Sequence, residues 1–275
     1  AVVRIVAQGG FQDPTEGTGV KTGSGSGFII DPSGLAVTNN HVVTGAATLD
    51  VFVAGETKAR HARILGTSEC SDLAVIDIDG DGFPFLEWAD ENEIKTGTKV
   101  FAAGYPLGDP TFTLTDGIIA KTEATAISTV LGPEKAIEHT ANTQPGNSGG
   151  PLVTDQAKVI GVHYASQLGP HGTAQFFAIS LVEAIPVIGE LATGKDLLST
   201  GLNGQAVRLV NGKVGLWVSA VKSGSLANQA GVRPGDVLLT LEGLPIAQDG
   251  TLKDYCKVLR GHNSGDPLQI TVFRT

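Results

Sequence analysis

Gly146-Asn147-Ser148-Gly149-Gly150-Pro151-Leu152 sets a serine among glycines. In such a turn the hydroxyl is exposed and neighbouring backbone N–H groups can converge on one point. Acyl transfer needs both: a nucleophile, and donors for the oxyanion that forms when it attacks. Side chains in place of the glycines would crowd the incoming carbonyl or forbid the backbone angles. Gly146, Asn147 and Ser148 are therefore the expected oxyanion-hole segment, with the N–H groups of Gly146 and Ser148 as donors. The nucleophile needs a base, and the base an orienting acid. Upstream, Thr38-Asn39-Asn40-His41-Val42-Val43 follows the apolar run Leu35-Ala36-Val37. Ser71-Asp72-Leu73-Ala74-Val75-Ile76 places an aspartate directly before a strand-like run. In the expected division of labour Ser148 attacks, His41 takes its proton and later returns it to the leaving amine, and Asp72 holds the imidazole in the useful tautomer.

The chain order His, Asp, Ser is that of chymotrypsin rather than subtilisin or the α/β-hydrolases. TNNHVV, SDLAV and PGNSGGPL, with GSGSGFIID ahead of the first, resemble the HtrA/Deg family of serine proteases from about Thr22 to the end of the chain. The resemblance implies a mainly β fold, a chymotrypsin-like double β-barrel followed by a small α+β PDZ domain. It implies unfolded or misfolded polypeptides as substrates and an extracytoplasmic location (periplasmic, secreted or membrane-anchored), and nothing in the chain requires a cofactor. It also implies a homotrimer or higher oligomer, to which Phe11 or the apolar run Val2–Val6 could contribute. By the same resemblance the substrate pocket has Asn142 as its floor, followed by Thr143, with His163, Tyr164 and Ala165 on one wall. No acid is present there, which speaks against Arg or Lys selectivity and for small or medium apolar side chains. Asn147 stands where trypsin-like zymogens carry an aspartate that pairs with a new N-terminus. Activation is then expected from loop ordering, with Leu107–Thr111 and Ile127–Lys135 as the loops.

These residues need a scaffold. Short β-branched runs punctuated by Gly, Pro and Asn read as strands at Gly27–Ile30, Leu35–Thr38, Thr48–Val53, Ala62–Leu65, Ala74–Ile78, Lys99–Ala103, Phe112–Ala120, Ala136–Thr140, Pro151–Val153, Val159–Tyr164 and Gln175–Ile179. Leu181–Leu191 reads as a helix that Pro186 should break or shorten. The protease domain is expected over 1–195 and a polar, Gly-rich linker over 196–204. A PDZ domain over 205–275 follows, on the strength of AGVRPGDVLLTLEG. PDZ domains take peptide C-termini by strand addition, backbone N–H groups gripping the carboxylate. The stretch matched to that grip is Gln205, Ala206, Val207 and Arg208. It lacks the usual glycine, which leaves open a PDZ fold with weak or no carboxylate binding.

A length of 275 residues accommodates two domains, and 41% hydrophobic with 17% charged residues describes a globular chain. The net charge of −9 argues against nucleic acid as a partner. Cys70 and Cys256 are too few for the disulfide set of secreted trypsin-like enzymes, so packing alone is expected to hold the core. Cys70, two residues before Asp72, reads as a small residue near the barrel interface or as a redox switch. Cys256 falls on an apolar helix face. His139 and His163 read as structural histidines near the site, and His61, His171 and His262 as surface residues. Asp77, Asp79 and Asp81 read as a solvated turn rather than a metal loop, and no metal site is expected. Two other functions remain: a chaperone or adaptor with a vestigial protease site, and a dedicated processing protease with few substrates.

Overall fold

The computed structural model describes residues 1–13, 17–18, 21–53, 56–125, 131–133, 135–169, 172–263 and 265–274. The first barrel is built from β1 (Val2–Gly9), a small hairpin of β2 (Gln12–Asp13) and β3 (Gly17–Thr18) outside the barrel wall, β4 (Lys21–Ile29), β5 (Leu35–Thr38), the single-turn helix α1 (Asn40–Val43), β6 (Ala46–Val53), β7 (Arg60–Ser68) and β8 (Leu73–Ile78). Its strands close in the order β1-β4-β5-β8-β7-β6. The second barrel contains β9 (Lys99–Gly104), β10 (Thr113–Ala124), β11 (Ala136–His139), β12 (Pro151–Val153), β13 (Val159–Leu168) and β14 (Ala174–Ser180), closed as β10-β11-β14-β13-β12-β9. Helix α2 (Leu181–Leu191) follows. The C-terminal sheet comprises β15 (Leu202–Arg208), β16 (Val214–Val221), β17 (Val237–Leu241), β18 (Leu244–Pro245) and β19 (Ile270–Phe273), with α3 (Leu226–Gln229) and α4 (Lys253–Arg260). The mainly β, double-barrel-plus-small-domain expectation is what is observed.

The period of two along a strand explains which residues close each barrel. On β1, Val3, Ile5 and Ala7 are buried in the first barrel with Ile29, Ala36, Val51 and Ile76. The Val2–Val6 run, considered above as an oligomer contact, spends its buried face on its own barrel. On β8 almost every residue is buried, because the strand has two apolar neighbours. Ala74, Ile76 and Ile78 face the barrel interior. Leu73 and Val75 face a second cluster shared with Val153, Val162, Tyr164, Phe177 and Ile179 of the other barrel. That shared layer fixes one barrel against the other, each fully buried aliphatic side chain contributing about 1.5–3 kcal/mol.

Pro186 does not break α2, which runs for 11 residues through it. Ser180 caps the helix by accepting from the Val182 N–H at 3.3 Å. Leu181, Ala184, Ile188 and Leu191 bury one face. The hydrogen bond that Pro186 forfeits belongs to the carbonyl of Val182, a residue 56% exposed, where water can replace it.

Two expectations about the chain's connections change. The two cysteines are not separate core thiols. Cys70 and Cys256 form a disulfide across a sequence separation of 186, joining the turn after β7 to α4. Cys256 does lie on the buried face of α4. The polar stretch after α2, expected as a linker over 196–204, is fastened to its neighbours and partly in strand. Asp196 accepts from the Thr67 N–H at 2.9 Å and pairs with Lys222 at 2.7 Å, and β15 begins at Leu202, inside the expected linker.

Candidate active site

His41 sits on α1 and Asp72 at the end of the turn before β8, on neighbouring elements of the first barrel. The pairing β5–β8 brings Thr38 opposite Ala74, which carries the flanking His41 and Asp72 together. Asp72 Oδ2 lies 2.7 Å from His41 Nδ1, and Asp72 Oδ1 accepts the His41 backbone N–H at 2.9 Å. One carboxylate thus fixes both ring and backbone. With the proton on Nδ1 donated to Asp72, Nε2 is left as the acceptor that a general base needs. Asp72 has φ 49°, a left-handed backbone held by the Asn39 side chain, which donates to the Asp72 carbonyl at 2.8 Å.

Electrostatics follow from burial. Asp72 is fully buried and His41 keeps 27% of its side chain exposed. Burial alone would draw His41 down, but the Asp72 charge and hydrogen bond outweigh it, and the imidazole lies above its usual 6.5. Burial pushes the Asp72 carboxyl up, and the His41 donors act against that push.

The serine turn belongs to the second barrel but is pinned to the first. Gly149 N–H donates to the His163 carbonyl and His163 N–H to the Gly150 carbonyl, at 2.8 and 2.9 Å. Ser26 N–H donates to the Ser148 carbonyl at 2.8 Å, and the Ser26 hydroxyl donates to the Gly146 carbonyl at 2.8 Å. Gly149 has φ +84°, and a Cβ there would stand 3.0 Å from the Asn39 nitrogen. Gly25, within the GSGSG run, leaves room for Val42 beside His41 and for the Ser148 carbonyl.

Of the three residues expected to form the oxyanion hole, Asn147 donates its N–H to the Gln144 carbonyl at 3.0 Å. The N–H groups of Gly146 and Ser148 donate to no partner among the described residues. The Pro145 carbonyl accepts from the Leu107 N–H at 2.6 Å. A trans peptide sets C=O and N–H on opposite sides, so this bond turns the Gly146 N–H away from Leu107. Leu107 itself is 71% exposed with φ 58°, a backbone conformation unusual for a leucine. The Asn147 side chain is buried where a Cβ on Gly104 would meet its Oδ1 at 2.5 Å.

The expected pocket residues divide. Asn142 is exposed, its carbonyl accepting from the Thr115 hydroxyl at 2.7 Å, whereas Thr143 is buried. His163 and Tyr164 are buried and Ala165 is half-buried along β13. His163 Nδ1 faces His139 Nε2 at 3.4 Å, and the two histidines form a buried pair. Burial lowers His139 to about 4 and takes His163 well below 6.5, and it raises the Tyr164 phenol. His61 is on the surface; His171 and most of the Ile127–Lys135 loop lie outside the described residues. Asp77 pairs with Arg63 at 2.6 Å, and no cluster fit for a metal occurs among the described residues.

Gln205, Ala206, Val207 and Arg208 lie along β15, paired in register with Trp217, Leu216, Gly215 and Val214. The N–H groups that converge on a carboxylate are earlier in the chain. Thr200, Gly201 and Leu202 donate to Glu69 Oε1 at 2.8, 2.6 and 2.6 Å. Sequence reading passed over both parties. The available signal was Gly201-Leu202, a glycine and an apolar residue at the start of a strand, but the linker reading absorbed it.

A family model described as a trypsin-like peptidase domain matches residues 25–162, and one described as a PDZ domain matches residues 217–268. The chain is 33% identical over 256 residues to a protein of Marinomonas sp. (strain MWYL1) named as a DegP-like periplasmic serine endoprotease, covering 88% of this chain and 53% of that relative. It is 30% identical over 294 residues to the serine protease Do-like HtrA of Lactobacillus helveticus, covering 96% and 70%. The chain thus spans about half the length of the DegP-like relative it matches. The solved structure of the HtrA-type protease AlgW with a decapeptide aligns over 100% of this chain and 91% of its own, with a TM-score of 0.61 and 25% identity.

Proposed function

We propose, for a chain that belongs to the HtrA/DegP-like family of serine proteases, that it is a serine endopeptidase acting on unfolded or misfolded polypeptides through His41, Asp72 and Ser148. The observation that carries the reading is the double grip of Asp72 on His41, which leaves Nε2 as a base, beside a serine turn hydrogen-bonded to the same barrel.

The reaction divides as follows. Ser148 Oγ attacks the scissile carbonyl while His41 Nε2 takes its proton. The resulting imidazolium is stabilised by the buried Asp72 charge, which the raised His41 pKa already expresses. The oxyanion is received by the N–H groups of Gly146 and Ser148, for which removal of one donor in such sites costs about 100- to 1,000-fold. His41 then protonates the leaving amine, water repeats the attack on the acyl-enzyme, and the serine is regenerated. No cofactor takes part. The absence of an acid at Asn142 and Thr143 favours small or medium apolar side chains before the cut.

The C-terminal domain is a peptide-binding module in this reading, and its ligands are peptide C-termini. A disulfide fits an extracytoplasmic location, where oxidised cysteines persist, and the relative named above is called periplasmic. The test is a fluorophosphonate probe with casein in parallel. The expected result is stoichiometric labelling of Ser148, lost in Ser148→Ala, and cleavage of unfolded casein in preference to folded proteins. An unlabelled, folded chain would establish a vestigial site instead.

A further inference from the structure

Glu69 is a fully buried carboxylate of the protease domain, three residues before Asp72 and next to Cys70. All described partners of its side-chain oxygens belong to the C-terminal part of the chain. Oε1 accepts from the Ser199 hydroxyl at 2.9 Å and from the consecutive N–H groups of Thr200, Gly201 and Leu202. Oε2 accepts from the Tyr255 hydroxyl of α4 at 2.5 Å, and Tyr255 is in turn 2.7 Å from the Thr200 hydroxyl. Successive N–H groups folded around one oxygen form an anion-binding concavity, and Gly201, at φ +90°, supplies the left-handed residue that such a curl requires.

The position of this concavity gives it a function. It lies at the start of β15, an end strand of its sheet, paired only with β16 among the described residues. A peptide adding to an open edge strand ends with its carboxylate at such a cluster of N–H groups. A glutamate carboxylate presents the same two oxygens as a chain terminus. Burial raises the Glu69 carboxyl, and the hydrogen bonds from Tyr255, Leu202, Ser199 and Gly201 oppose that rise; the Tyr255 phenol is itself pushed far up and stays a donor.

We propose that Glu69 is the internal ligand of the PDZ carboxylate site, held there by the Cys70–Cys256 disulfide, so that a peptide C-terminus enters only after that latch opens. The disulfide joins the residue after Glu69 to the residue after Tyr255, and so ties the internal carboxylate to the helix that flanks its site. Leu131 adds an apolar plug from the protease domain, buried in one cluster with Leu202, Tyr255 and Cys256. A tethered ligand competes at an effective concentration on the order of mM even on a flexible linker. Opening needs a dithiol reductant. It gives up two electrons and two protons and becomes a cyclic disulfide, and Cys70 and Cys256 become two thiols.

The inference rests on the peptide-binding reading of the C-terminal domain, and its test is independent of catalysis. Fluorescein-labelled nonapeptides ending in Ala, Val, Leu, Ile or Phe, each as free acid and as C-terminal amide, are titrated against the full chain carrying Ser148→Ala. The expected result is affinity for the free acids at least tenfold higher after dithiothreitol treatment, or in Cys256→Ser or Glu69→Ala, than in the oxidised chain. The amides bind no form. Circular dichroism melting identifies any variant that has not folded, and the reduced chain then serves in its place. Equal affinity in all folded forms, including no binding by any of them, overturns the proposal. Failure of fluorophosphonate labelling in the chain with Ser148 intact would overturn the protease reading while leaving this result standing.

Discussion

Glu69 and Asp72 are the two ends of one turn, closed by the Asp72 N–H donating to the Glu69 carbonyl at 3.2 Å. One end is clasped by the C-terminal domain and the other clasps His41. A second thread runs beside it, the Asn203 side chain donating to the His41 carbonyl at 3.2 Å. Contact between the domains therefore includes the segments that carry His41 and Asp72.

The His41–Asp72 pair predicts a pH profile. In the proposed role His41 acts as a base only when neutral, and the Asp72 charge and hydrogen bond hold its pKa above the usual 6.5. Activity is full above that raised pKa and falls as pH drops through it, so the acid limb of kcat/KM should sit above 6.5. Asp72→Asn removes the raising charge and leaves the burial, so the limb should move downward while kcat falls about 10,000-fold. An acid limb at or below 6.5 in the unaltered chain would contradict the assignment.

Leu107 predicts a positioning effect at a distance from the serine. Leu107→Pro deletes the N–H that holds the Pro145 carbonyl and, because proline cannot adopt the positive φ found here, rearranges the loop as well, freeing the Gly146 peptide to turn. A loss in kcat of about 100-fold or more is expected, the cost of one oxyanion donor, with KM little changed. Leu107→Gly keeps the N–H and relieves the positive φ, and should retain activity. Equal kcat in the two variants would sink the idea.

The buried pair His139 and His163 predicts acid sensitivity of the fold. His139 titrates at about 4 when folded and near 6.5 when unfolded, so between those values the unfolded chain binds more protons. Stability is full above pH 6.5 and declines as pH falls, with a slope of about 1.4 kcal/mol per pH unit for each such histidine. Urea midpoints at pH 7, 6 and 5 should fall, and fall less steeply in His139→Gln. A flat series in the unaltered chain would refute this.

The disulfide predicts a stability loss on reduction. Closing a loop across 186 residues restricts the unfolded chain, with an upper bound of about 5 kcal/mol in the chain-entropy account. A Cys70→Ser, Cys256→Ser double variant should therefore unfold at lower denaturant than the oxidised chain and match the reduced one. Identical midpoints for oxidised and reduced chains would show that the bond constrains nothing.

Much of the fold was legible because strand period and turn chemistry are local. The β8 run, the serine turn and the α4 face carried their own signals. The barrel role of β1 is not legible in the Val2–Val6 run, since an apolar run reads the same whether it closes a barrel or meets a partner. Pro186 misled because the cost of its missing N–H depends on whether the orphaned Val182 carbonyl faces water. His163 was placed on the right strand, but its burial against His139 depends on a strand 24 residues earlier.

The sequence by itself determined the type of chemistry and the order of its parts. A serine among glycines, a histidine after one apolar run and an aspartate before another are local patterns, and their chemistry follows from residue type. Only the tertiary structure decided what those parts are fastened to. Whether Asp72 grips His41, whether Cys70 meets Cys256, and whether Glu69 fills a ring of N–H groups depend on atoms far apart in the chain. Those distances are set by the closure of two barrels and the docking of a third sheet, and no spacing in the sequence encodes them.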